Sequence, residues 1–234
     1  MNKLTILLTS ILLVSCDPKD LGKILDSAGT AILSEGDISN GLKEALNIGV
    51  NNSVSFLSAP DGYYKSLYKI LLPEEARKVT DKLKGIPGFS NLEEEAVKRI
   101  NQAAEDAAVK AGPIFLNAIK QMTFSDVTNI LMGDKNAATQ FLHRSTYQAL
   151  YNEFKPLVNT SLNKFGALDY WGKAINTYNK IPFVDRVNPD LADHVTNKAL
   201  EGLFALVEKK ELGIRQDVGQ RSSDLLRKVF KKQD

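Results

Sequence analysis

The chain has a single cysteine, Cys16, and only two histidines, His143 and His194, among 234 residues. One thiol closes no internal disulfide, so packing must hold the fold, and two histidines cannot build a histidine-rich metal centre. A surplus of charge is missing as well: 30 Lys and Arg against 28 Asp and Glu leave a formal net charge of +2. Nucleic-acid binders draw much of their affinity from neutralised phosphates and normally carry a clear basic excess, so no nucleic-acid partner is expected. The hydrolase elbow Gly-x-Ser-x-Gly, the zinc motif His-Glu-x-x-His, phosphate loops and dinucleotide glycine patterns are all lacking, and each absence lowers the prospect of an enzyme. No acidic run has the spacing of a calcium loop. Neither a metal nor a cofactor is expected. The longest apolar run, residues 4–14, is too short for a membrane helix, which needs about 20 residues.

That run does have a reading of its own. Preceded by Lys3, it has the make-up of a signal-peptide core, and it ends in Leu13-Val14-Ser15-Cys16, which resembles the lipobox of bacterial lipoproteins. The resemblance implies a signal peptide over residues 1–15, cleavage before Cys16 and a diacylglyceryl group on its thiol. Two or three acyl chains anchor stably where one does not. The expected partner is therefore a membrane, reached through lipidated Cys16 in a bacterial cell envelope and facing the periplasm, with inner and outer membrane both open. Lipidation also removes the one thiol from any catalytic scheme.

Residues 16–20 leave a short tether, because helical spacing begins at Leu21, Ile24, Leu25, Ala28 and Ile32. Asp37 or Ser39 can cap a helix whose apolar positions run from Ile38 to Val54. Ala59-Pro60-Asp61-Gly62 is a turn signal, and residues 63–72 read equally as extended or helical. Pro73 suits the start of a helix, and Ser90-Asn91-Leu92-Glu93 has the pattern of a capping box before an alanine-rich helix reaching to Ala111. Gly112-Pro113 reads as a break, Thr123 with Asp126 as a cap, Gly133 as a stop and Lys155-Pro156 as a boundary or kink. Asn188-Pro189 opens the most regular helix, with Leu191, Val195, Ala199, Leu203 and Val207 four apart. Gly213 should end it, and Ser222 or Ser223 caps a last helix. Repeated helices with short connections predict an all-α fold, one compact domain over residues 21–234 with at most one short extended segment or minimal hairpin.

Several segments also stand together in a familiar order: Gly41-Leu42-Lys43-Glu44-Ala45-Leu46, Asp61-Gly62-Tyr63, Leu72-Pro73, Asn101-Gln102-Ala103-Ala104-Glu105, Met122-Thr123-Phe124-Ser125-Asp126, Ala137-Ala138-Thr139-Gln140-Phe141 and Glu211-Leu212-Gly213-Ile214-Arg215. The collinear set resembles the bacterial family called domain of unknown function 4197, over nearly the whole mature chain. The resemblance implies an exported helical protein without an established activity. Members often carry a pair of Glu before the Ile-Arg step, where this chain has Lys210-Glu211.

Three polar groupings are candidates for a ligand pocket. Asn101 and Glu105 lie one turn apart on a helix with small neighbours, so both can face a shared space. Thr139, His143 and Tyr147 form a stripe in which His143 can serve as an acid or base. Arg215 and Arg221 frame a turn and can clamp an anion or tie the turn to Glu105 or Glu211. Near the C-terminus, Arg227, Lys228, Lys231 and Lys232 read as a solvated helix end or as a contact to anionic lipid. The expected function is a membrane-anchored, noncatalytic module that binds another envelope protein or an amphiphilic small molecule. The alternatives are a hydrolase-like or lyase-like enzyme using Glu105 with His143 or Arg215, and a structural scaffold.

Overall fold

In the computed structural model, residues 33–186 and 190–231 are described, and nine α-helices carry the fold among them. The signal segment, Cys16, the spacing from Leu21 to Ile32 and the Asn188-Pro189 step lie outside the described residues. The helices are α1 Glu35–Leu57, α2 Glu74–Leu83, α3 Leu92–Ala108, α4 Ala111–Gln121, α5 Phe124–Met132, α6 Ala137–Lys164, α7 Ala167–Tyr178, α8 Leu191–Gln216 and α9 Asp224–Phe230. No strand occurs among the described residues.

The long helices α6 and α8 pack most extensively against each other; α3 and α4 lie against α6, and α1 lies against α8. Their apolar stripes explain the pairing. Leu142, Leu150, Phe154, Val158 and Leu162 of α6 are buried, as are Val195, Ala199, Leu203 and Val207 of α8. Alanines 96, 103, 104, 107 and 108 let α3 approach closely. Helix α9 closes over α1, where Gly41 faces Val229 so tightly that a Cβ would stand 2.5 Å from its methyl.

Local sequence signals and packing compete at several points. Thr123 and Asp126 form a complete capping box, and Ser223 caps α9 through Leu226 N–H. Gly133 caps α5, and Gly166 turns the chain between α6 and α7 with φ +64°. The box at Ser90 does not form: α3 starts one residue later than that pattern requires, with Asn91 at its N-cap and no side-chain cap bond. Helix α1 starts at Glu35, ahead of Asp37 and Ser39. The break before α4 falls at Val109 and Lys110, and Pro113 sits inside the first turn, where its missing N–H is tolerated. Pro156 ends nothing. Helix α6 runs through it to Lys164, because the burial of Phe154, Val158 and Leu162 on either side outweighs the roughly 3 kcal/mol a proline costs inside a helix. Gly213 likewise lies within α8, where its bare Cα admits the Gln220 side chain.

Residues 58–73 between α1 and α2 are irregular. Asp61 takes φ +64°, and at Gly62 a Cβ would stand 2.3 Å from the carbonyl oxygen of Phe56. No side chain fits there without moving backbone. Gly62→Ala is therefore expected to destabilise the fold by about 2 kcal/mol or more. Gly112→Ala, in open space, should be neutral or stabilising by up to about 1 kcal/mol. Urea unfolding of the two variants checks the contrast, and equal losses would contradict it.

Candidate functional site

Asn101 is wholly buried on α3, and its carboxamide pairs face to face with one residue of the connector. Its Oδ1 accepts the Ile70 N–H at 2.8 Å, and its Nδ2 donates to the Ile70 carbonyl at 2.8 Å and to Val97 O at 2.6 Å. The side chain thus supplies the pair of bonds a neighbouring strand would give. One turn on, Glu105 Oε1 accepts the N–H groups of Tyr63 at 3.1 Å and Tyr64 at 3.2 Å. Burial raises the Glu105 pKa above the usual carboxylate value, while the N–H groups of Tyr64, Tyr63 and Asp61 pull it down. Successive N–H groups around a turn make an anion-binding concavity. Here the anion is the protein's own glutamate. Tyr63, buried beside it, is kept protonated by burial and then by the Glu105 charge, and its hydroxyl donates to Ala199 O at 2.7 Å.

The second grouping gathers at Glu211, on α8. Its Oε1 accepts Ala138 N–H at 3.0 Å, and its Oε2 accepts both the N–H and the hydroxyl of Thr139 at 2.8 Å. Asn136 at the N-cap of α6 makes no side-chain cap bond, so a glutamate from another helix satisfies the first free amides of α6, at the positive end of its dipole. Arg215 Nε donates to Glu211 Oε1 at 2.9 Å, and Arg215 NH2 donates to Ile130 O near the end of α5 at 2.9 Å. The two side chains are 5% exposed each. Arg221, 1% exposed, donates to the carbonyls of Ile214 at 2.9 Å and Arg215 at 3.0 Å, closing the C-terminal end of α8. Arg227 in turn donates to Arg221 O at 3.0 Å and pairs with Asp224.

Thr139, Arg215 and Arg221 are thereby linked through Glu211 and the end of α8, while Asn101 and Glu105 serve the connector. His143 belongs to neither set. It is exposed on α6, stacked on Tyr147 with centroids 4.9 Å apart and tilted over Phe204 at 4.7 Å. Below it a further ladder joins α6 to α8: Tyr147 hydroxyl to Asn197 Oδ1 at 2.7 Å, Tyr151 hydroxyl to Asp193, and Lys155 to Asp190 and Asp193. Tyr151 and then Lys155 hold the Asp193 carboxyl below the usual range. This ladder was open to sequence reasoning through the spacing of four in Tyr147, Tyr151, Lys155 and in Asp193, Asn197, but nothing in one sequence says that the two series face each other.

On the core side of the Glu211 and Arg215 pair the free space is about 10 Å³, room for one water. Open grooves of about 500 Å³ and 430 Å³ meet at Lys69 and Leu71, the first bordered by Leu67 and His194, the second by Tyr64, Lys84 and Phe89, and a smaller one of about 210 Å³ is bordered by Gly133, Lys135 and Arg215. Among the described residues no three His, Cys, Asp or Glu gather to hold a metal, and no helix is long and apolar enough to cross a membrane.

If Glu105 serves the backbone, its acceptor oxygen matters more than its charge. Glu105→Ala, which strands two N–H groups, should cost about 2–4 kcal/mol, and Glu105→Gln, which keeps Oε1, about 1 kcal/mol or less. The folded pKa lies above the unfolded one, so acid protonates the folded chain first. Wild type should therefore gain stability relative to Glu105→Gln as pH falls through the folded value towards 4.5, and hold that gain below it. Urea unfolding across this range reads the difference; a widening loss on acidification would contradict it.

No curated protein and no solved structure matches the chain. A family model does: the one described as protein of unknown function (DUF4197) matches residues 32–231. Helix by helix, from α1 to α9, the described domain is the matched region, and the chain belongs to that family.

Proposed function

We propose that this protein is a lipid-anchored, noncatalytic interaction domain of a bacterial envelope. The observation that carries the noncatalytic part is where the chemically able side chains are spent. Glu105 and Glu211 accept backbone N–H groups, Arg215 and Arg221 donate to carbonyls at helix ends, and Asn101 pairs with Ile70. A general acid or base must reach a substrate proton, and these groups are turned toward the chain itself. What faces outward around the connector is Leu67 and Leu71 alternating with Lys65 and Lys69, material for a contact surface.

The anchor rests on the sequence. Lys3, the apolar residues 4–14 and Leu13-Val14-Ser15-Cys16 have the order and length of a lipoprotein signal, and Cys16 is the one thiol in the chain. Residues 17–34 between Cys16 and α1 can reach at most about 60 Å when extended, so the domain works close to the bilayer. Growth with radiolabelled palmitate tests this. The wild-type protein should incorporate label and have the mass of a chain that starts at residue 16 and carries acyl groups. Cys16→Ala should take up no label and keep its full length. A wild-type protein without label, or with Met1 to Ser15 still attached, would contradict the reading.

A further inference from the structure

Residues 62–73 include three tyrosines, Lys65, Lys69, three leucines and an isoleucine, and no Asp or Glu. Their side chains divide sharply. Ile70 and Leu72 are 2% exposed, whereas Leu67 is 92% and Leu71 56% exposed. The outward leucines cannot turn in, because the segment is pinned from beneath at Tyr63 and Tyr64 by Glu105, at Ile70 by Asn101 and at the Leu71 carbonyl by His194, 2.8 Å away. Phe56, whose carbonyl lies against Gly62, is itself half-exposed. Two leucines held outward along one groove are material for an apolar contact.

We propose that this face, with Leu67 and Leu71 at its tip, docks on the surface of a bilayer that contains anionic lipid. Tyrosine and lysine beside apolar tips are the chemistry of the membrane interface, where the ring sits at the headgroup level and the ammonium reaches outward. Lys69 lies 4.4 Å over the Tyr64 ring, placing a cation at that level. Asp61 is neutralised by Lys65 at 2.8 Å, and the groove along both leucines is bordered by Lys69, Arg77 and Lys198 against Glu74 and Glu201, so this face meets phosphate headgroups with a small positive balance. Two exposed leucines present far less than the ~800 Å² that a stable protein pair buries on each side. Shallow insertion into lipid needs no such area. Because the segment is already fixed, docking orders nothing further. The inference extends the membrane reading above, but contact by this face does not require the lipid on Cys16.

The single cysteine makes the test direct. In the full chain carrying Cys16→Ala, one variant adds Leu67→Cys and another adds Thr128→Cys, an exposed position on α5; each is labelled with an environment-sensitive nitrobenzoxadiazole dye. With phosphatidylglycerol-containing vesicles, the dye at position 67 should brighten several-fold, shift to the blue and be quenched by spin-labelled lipid, while the dye at position 128 stays in water. Lys69→Gln should weaken this partition about five-fold, and vesicles of phosphatidylcholine alone should give less of it. A dye at position 67 that stays in water, whether or not the protein floats with the vesicles, would overturn the proposal. So would brightening that rises with protein concentration in the absence of lipid, which marks self-association. Palmitate incorporation is read separately on unaltered Cys16, so either result can fail without the other.

Discussion

The fold turns on buried carboxylates that find their hydrogen-bond donors in backbone. Glu211 is the main one: it takes the first amides of α6, the Thr139 hydroxyl and the Arg215 guanidinium in one arrangement. An ion pair 95% buried would by itself gain little, since desolvation of both charges consumes the attraction. The added donors change that balance, because two of them are N–H groups that would otherwise be left without a partner at the start of a 28-residue helix. Arg215 then passes the connection to Ile130 at the end of α5, and Arg221 closes the end of α8. Three helix termini are stitched through three side chains. Glu105 repeats the device at a turn instead of a helix end.

This use of charge has a functional consequence. A carboxylate beside an arginine in a cleft would read as a catalytic pair, but the same pair aimed at amides and carbonyls is structural cement. The surface left over is defined by the same anchors. Because Glu105 and Asn101 grip residues 63–70 from inside, the outward side chains of that connector are presented in a fixed pattern, with leucine exposed and isoleucine buried. Stability and the proposed contact face are two sides of one segment.

Much of the helical architecture was legible in the sequence because its signals are local. The box at Thr123 and the turn at Asp61-Gly62 depend on immediate neighbours, and the spacing of four from Leu191 to Val207 repeats within a single helix. Where a local rule met tertiary packing, packing prevailed: Pro156 lies inside α6 because the apolar residues on both sides have a core to enter, and Ser90 loses its cap because α3 begins after Asn91. The polar groupings were harder. Asn101 with Glu105 and Arg215 with Glu211 could be seen as pairs four apart, yet their partners, Ile70, Tyr63 and Ala138, lie 31 to 73 positions away. Only the fold decides whether such a pair faces a cavity or a stretch of backbone.

The most direct measurement is amide hydrogen exchange by NMR at Tyr63, Tyr64, Ala138 and Thr139. None of these N–H groups has an intrahelical acceptor, so without the two glutamates they would exchange like those of a frayed end. With Glu105 and Glu211 as their acceptors they should exchange only through global unfolding, as slowly as the centre of α8. Exchange at the rate of exposed loop amides would show that the carboxylates are not committed to the backbone, and would contradict the account.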